Sequence, residues 1–305
     1  MTSQPSVLVI GVGELGNAVL EALAAHPQHG QTTVLLRPST ITSSDPTKKA
    51  QMAKLASLNI STLAGDIVNA TEDELSTLFA PYHTVVGCTG MTFPAGSQLK
   101  IARAVLAARV RRYLPWQFGV DYDAIGRGSS QDLFSEQLDV RDLLRGQKET
   151  QWVIISTGMF MSFLFWPPFD VVSRDRRTVR ALGDWDNKVT VTTPRDIGRV
   201  VAEVVWASPE TQGVVFTAGE TVSYRRVAEV VEKVCKEKVN RQVWSMNVLK
   251  EELAKNPEDG IKKYKVVFAE GRGVAWDEAT TFNSQRGMKL QGLEDWGREN
   301  VRMIG

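Results

Sequence analysis

An α/β fold, a doubly wound parallel sheet with a smaller α+β lobe covering the substrate, is predicted by three observations. Short apolar runs alternate six times with segments of helical periodicity through the first half of the chain. A Gly-x-Gly-x-x-Gly turn closes the first of these runs. Beyond about residue 157 the regular alternation is lost.

Val7–Ile10 is a short apolar run ending at Gly11, as a buried strand does. Leu15, Ala18, Val19, Ala22 and Leu23 then recur on one helical face. Residues 33–36 read as a second strand, followed by a polar loop (RPSTITSSDPTKK) and a helix through Met52, Leu55 and Leu58. A third strand is expected over 60–63. Thr71 and Glu74 form a capping-box start for a helix that ends near Phe79. A strand over 84–88, a helix over 99–110, a strand over 112–114, a helix over 133–144 and a strand over 152–155 complete the series. Helices that return the chain over a sheet face force parallel strands with right-handed crossovers. Residues 1–157 are therefore expected to form the sheet domain and 158–305 the smaller lobe. In that lobe, strands over 189–193 and 214–217 flank a helix over 195–207, with further helices over 227–234 and 249–253. The strand near 214–217 is a candidate to rejoin the first sheet.

The chain has 36 basic and 35 acidic side chains among 305 residues, a net charge of +1. That balance gives no electrostatic reason to expect nucleic acid or an acidic membrane as partner. The most apolar run, 159–169, contains Ser162, Pro167 and Pro168, and falls short of the roughly 20 residues a spanning helix needs. Two cysteines, Cys88 and Cys235, are too few for a disulfide framework or a zinc site, so a reduced, cytoplasmic setting is expected and no metal. His26, His29 and His83 are scattered and read as surface or cap residues. No G-x-S-x-G elbow is present.

The glycine turn is Gly11-Val12-Gly13-Glu14-Leu15-Gly16. Standing between a strand and an amphipathic helix, it has the context of the Rossmann dinucleotide fingerprint. Gly11 permits the tight turn, Gly13 lets the backbone approach a pyrophosphate, and Gly16 lets helix and strand pack closely. Glu14 and Leu15 open the helix, whose first N–H groups face the phosphates. An acidic residue at the end of the second strand would take the ribose hydroxyls of NAD. The chain has Arg37 there instead, with Ser39 and Thr40 beside it and Lys48 further on. A guanidinium pairs with a 2′-phosphate, so NADP(H) is the expected cofactor.

Ligands in open α/β sheets bind at the carboxyl ends of the strands. Thr89, Gly90 and Met91, after the fourth strand, are thereby placed near the nicotinamide. With Met91, the residues Trp116, Phe160 and Trp166 fall at the same edge and suit an aromatic or polycyclic small-molecule substrate as a pocket wall, although core packing accounts equally for the apolar run 156–166. The ordinary Tyr-x-x-x-Lys dyad is absent, since none of the five tyrosines has lysine four residues on.

The glycine loop, Arg37, Asp45-Pro46-Thr47-Lys48, the segment RYLPWQFG at 112–119 and residues 134–141 together resemble the NmrA-like / isoflavone reductase family of atypical short-chain dehydrogenases. Asp196-Ile197-Gly198 and residues 219–233 extend the likeness over most of the chain. PWQFG in place of P-S-E-F-G resembles the fungal members more than the plant ones. The glycine loop is one residue shorter than the family's G-x-x-G-x-x-G. The resemblance implies that Arg37 and Lys48 contact the 2′-phosphate. The family's F-x-x-K-x-x-x-R motif matches Phe134 to Arg141, with Arg141 retained near the cofactor and Gln137 where the catalytic lysine stands. A lysine exchanges a proton once burial lowers its pKa, whereas an amide only donates and accepts hydrogen bonds. The expected activity is NADPH-dependent reduction of an aromatic or conjugated metabolite, with the proton drawn from water, the substrate or another group. Tyr122, between Asp121 and Asp123 past the fifth strand, is a candidate relay, and loop-turn roles account equally for the two aspartates. A non-catalytic NADP-binding regulator and a non-redox isomerase or cyclase remain open beside it.

Overall fold

The computed structural model describes residues 5–90 and 93–301. Among the described residues twelve strands follow in chain order. The first six are β1 (Val7–Ile10), β2 (Thr32–Leu36), β3 (Ser61–Ala64), β4 (Thr84–Gly87), β5 (Arg112–Leu114) and β6 (Gln151–Ser156). The others are β7 (Met159–Phe160), β8 (Thr178–Leu182), β9 (Lys188–Thr192), β10 (Gly213–Phe216), β11 (Glu220–Ser223) and β12 (Asn240–Trp244).

A seven-stranded sheet has the order β10-β6-β5-β4-β1-β2-β3. The pairs from β3 across to β6 are all parallel. The doubly wound sheet read from the sequence is present, and β10 joins its edge as the 214–217 strand was expected to. The chain winds outward from β1 to β3 and then returns to lay β4 on the other side of β1. This reversal opens a crevice past the carboxyl ends of β1 and β4. All four residues of β1 are buried, as a strand covered on both faces requires. Leu8, Ile10, Val85, Ile101, Val105 and Tyr113 belong to one core cluster.

Two compact units interleave along the chain. One comprises Met1–Gln117, Glu136–Ile155 and Ile197–Val215, the other Phe118–Ser135, Ser156–Asp196 and Phe216–Gly305. The sequence reading places a single boundary after residue 157, while the contacts carry the helix Leu133–Arg145 almost wholly into the first unit and return 197–215 to it.

In the first unit, helix Glu14–Ala25 buries Leu15, Val19, Leu20 and Leu23. Gly198 lies on helix Pro194–Ala202, and a Cβ built there would stand 2.3 Å from the Ala18 carbonyl oxygen. The small residue lets two helices meet backbone to backbone, and Trp206 Nε1 donates to the Leu23 carbonyl at 3.2 Å along the same seam. The loop expected over 37–49 is a correction: Pro38–Ile41 and Pro46–Ser57 are helical. Pro at the first helical position and the Asp45 side chain accepting from the Lys48 N–H nucleate the second of these.

In the second unit, β9 pairs antiparallel with β11 and parallel with β7, and β8 pairs parallel with β12. An aromatic chain runs from Tyr122 through Phe134 and Tyr264 to Phe163, with ring centroids 4.9 to 6.2 Å apart. Among the described residues no helix is long and apolar enough to cross a membrane.

Candidate functional site

The glycine turn adopts the conformation its three glycines permit. Gly11 has φ +103°, and a Cβ there would meet Thr89 Cγ2 at 3.0 Å and the Cys88 backbone at 3.3 Å. A Cβ on Gly16 would lie 2.1 Å from the Gly11 carbonyl oxygen, so strand and helix touch through bare backbone. Gly13 is different: a Cβ there would meet nothing within 4 Å. It is the N-cap of helix Glu14–Ala25 with no side chain capping it. Glu14, Leu15 and Gly16 form the first helical turn. Open ground before Gly13 and the positive end of the helix together make an anion cradle. The turn is held from behind by two side chains, since Asn17 Nδ2 and Gln51 Nε2 both donate to the Val12 carbonyl, at 3.0 and 3.3 Å.

The cradle belongs to a cleft of about 350 Å³ lined by Gly11, Gly13, Arg37, Thr40, Thr89 and Gly90 among others. Arg37, at the end of β2, is solvent-exposed and N-caps helix Pro38–Ile41. Asp66, between the lining residues Gly65 and Ile67, has its carboxyl held below the usual range by the Asn69 side chain first, then by backbone N–H groups and the charge of Arg37. Lys48 does not line the cleft; it is the third residue of its helix and exposed. Cys88 lines the cleft, and burial pushes its thiol up.

At the inner end, Thr89 is buried, its carbonyl accepts from Gln98 Nε2 at 3.1 Å, and its hydroxyl has no partner. Gly90 packs under the Trp116 indole, whose nearest ring atom would be 3.1 Å from a Cβ. Met91 lies outside the described residues. Gln137 is fully buried, and neither atom of its side-chain amide has a hydrogen-bond partner. Its carbonyl accepts from Gln117 Nε2 at 2.9 Å. Arg141, one turn further along, is also fully buried and donates from Nε to Gln117 Oε1 at 2.8 Å. Arg141 thus braces the PWQFG segment and is not among the cleft's lining residues.

The remaining candidates lie in the second unit. Tyr122 is buried with its ring edge-on to Phe134 at 4.9 Å, and its hydroxyl would be 2.6 Å from a Cβ on Gly119. Asp121 caps the short helix Tyr122–Ile125 by accepting from the Ala124 N–H. Phe160 is half-buried in β7. Trp166 is 37% exposed and leans on Phe163 at 4.8 Å, so it presents an aromatic face to solvent. Asn17, Gln51 and Gln98 were not singled out from the sequence, since polar residues on helices carry no periodic or motif signal.

A model of the NmrA-like family matches residues 3–290. The chain is 47% identical over 296 residues to an NmrA-like family domain-containing oxidoreductase of Gibberella moniliformis, covering 95% of this chain and 96% of that one. It is 27% identical over 214 residues to phenylcoumaran benzylic ether reductase TP7 of Nicotiana tabacum, covering 67% and 66%. Among solved structures, AtPrR2 with NADP+ and (+)pinoresinol superposes with a TM-score of 0.81 at 17% identity over 98% of this chain and 99% of that one, a likeness of fold.

Proposed function

The chain belongs to the NmrA-like family and is an oxidoreductase of it, and on that premise we propose that it reduces an aromatic or conjugated small molecule with NADPH. The observation that carries this reading is the pairing of an open, uncapped Gly13 cradle with Arg37 and Thr40 on one cleft. The cradle suits a diphosphate. Arg37 and the Thr40 hydroxyl suit an added phosphate on the adenosine ribose, and no carboxylate stands at the end of β2 to favour the bare hydroxyls of NAD(H).

NADPH supplies the hydride when bound. Gly11 and Gly16 fix the turn, the first amides of helix Glu14–Ala25 hold the diphosphate, and Thr89 and Gly90, the latter backed by the Trp116 indole, line the cleft where water is to be excluded. Gln137, an amide, forms hydrogen bonds but moves no proton, so the proton comes from solvent or the substrate. The (+)pinoresinol of a solved structure of the same fold supports an aromatic substrate. The buried, uncharged Gln137 also favours a second reading, a dinucleotide-binding regulator without turnover.

Titration of the purified chain with NADPH and with NADH, followed by nicotinamide fluorescence, tests the cofactor. NADPH is expected to bind at least about tenfold more tightly, the worth of one charge-assisted contact. Equal affinity for both would remove the role given to Arg37. Binding of NADPH with no oxidation by any aromatic acceptor would select the regulator.

A further inference from the structure

The turn after β3 supplies one wall of the cleft. Gly65 and Ile67 both line it, with Arg37 and Thr40. The Gly65 N–H donates to the Leu36 carbonyl at 2.9 Å, one residue before Arg37. The rest of the turn is tied down by two charged side chains. Asp66 takes its N–H groups: Oδ1 accepts from Val68 at 2.9 Å and from Asn69 at 3.3 Å, and Oδ2 accepts from Asn69 Nδ2 at 2.8 Å. Lys100 takes its carbonyls, since Nζ donates to Val68 and to Ala70, both at 2.9 Å. Lys100 is half-buried, and among the described residues no carboxylate pairs with its ammonium, so the charge is spent on these two carbonyls. The helix that carries it, Ser97–Ala107, has no side-chain cap from its own N-terminal residue, Gly96. Glu136 closes that helix instead: Oε2 accepts the Gly96 N–H at 3.0 Å, and Oε1 accepts those of Gln98 at 2.7 Å and Leu99 at 3.1 Å. The base from which Lys100 reaches out is therefore itself fixed.

We propose that Lys100 is a positioning residue for the cofactor: by holding the carbonyls of Val68 and Ala70 it keeps the wall at residues 65–67 in place beside Arg37, so that the adenosine end of NADP(H) enters a cleft already formed. This rests on the cofactor reading above. A surface turn left loose must be ordered when ligand arrives, and that entropy is subtracted from the affinity. Two charge-assisted bonds made in the free protein remove the subtraction. An ammonium suits the task, because one atom carries three donors and serves two carbonyls from a neighbouring helix. Lys100 is not among the residues lining the cleft, so it acts through the turn and not on the ligand.

Calorimetry of the full chain with adenosine 2′,5′-bisphosphate, which lacks the nicotinamide end, and with NADPH makes the test, together with the emission of NADPH at saturation. Lys100→Met keeps the length of the side chain and removes its donors. It is expected to lower both affinities by the same factor, roughly tenfold, and to leave the emission of bound NADPH at its wild-type value, since the nicotinamide end is untouched. Lys100→Arg keeps the charge and two donors and is expected to restore both affinities to within about twofold. Asn69→Ala cuts another tie of the same turn, so it should lower both affinities together even if Lys100→Met fails to fold. Wild-type affinity for the bisphosphate in folded Lys100→Met, or in folded Asn69→Ala should the first not fold, would overturn the proposal. So would a shifted NADPH emission, which marks damage spread over the whole cleft, or a Lys100→Arg chain no better than Lys100→Met. A wild-type chain that binds neither ligand would overturn the cofactor reading first and this one with it.

Discussion

Gly13 and Gly16 stand three residues apart in one turn, yet a side chain would act oppositely at each. Gly16→Ala drives a methyl group into the Gly11 carbonyl at 2.1 Å, so the strand-to-helix joint must shift, and folding is expected to lose about 3 kcal/mol, read from urea denaturation. Gly13→Ser places a good helix cap in open space, and stability should hold to within about 1 kcal/mol. The same hydroxymethyl fills the cradle, so NADPH affinity should fall by at least about tenfold in a titration. Arg37→Gln removes the charge and the fork: NADPH affinity is expected to fall roughly 10- to 100-fold, the worth of about 1.5–3 kcal/mol for a hydrogen bond to a charged group, with NADH binding unchanged. Gln137→Lys puts an ammonium where burial would draw its pKa toward neutrality. Faster NADPH consumption is the expected result; an unchanged rate would mean the position serves hydrogen bonding alone. At this scale the sequence was most legible. The fingerprint glycines announce themselves by type and spacing, because few other residues tolerate those contacts. The position of Arg141 was not legible, because nothing in a motif tells whether a guanidinium faces a ligand or braces a neighbouring loop.

Elements were legible where the apolar period was clean. The central strands and helix Glu14–Ala25 fall where buried, regular patterns put them. Helix Gly260–Glu270 escaped, because its Val266, Val267 and Phe268 read locally as strand formers; Asp259, accepting from two N–H groups, and packing of all three in the core decide for helix. Strands β8 and β12 escaped because β12 is mostly exposed and its polar run Asn240-Arg241-Gln242 shows no alternation. Helix-to-helix contact carries its own prediction. Gly198→Ala inserts a methyl group against the Ala18 carbonyl and is expected to cost about 1–3 kcal/mol, measured as a lowered urea midpoint with an unchanged slope.

Acid should destabilise the whole molecule. In one unit Glu74 is held low by the Thr71 N–H of its capping box and Asp66 by Asn69; in the other Glu294 is held low by Lys233. Each folded pKa lies below its unfolded value, so the stabilisation is complete above the unfolded value, near 4, and drains away as pH falls through the folded one. The melting temperature is expected to stay level from pH 7 to about 5 and to drop below that, and a midpoint rising on acidification would contradict the assignment. The sequence by itself determined the alternating order of strands and helices, the parallel sheet and the glycine turn, because periodicity and backbone freedom are local properties written residue by residue. Only the tertiary structure decided that residues 136–155 and 197–215 return to the first unit, that Glu136 closes a helix nearly 40 residues upstream, and that Gln137 is buried with its amide unpartnered. Those depend on which surfaces meet once the chain has doubled back, and contacts between distant segments leave no period in the chain for a reader to find.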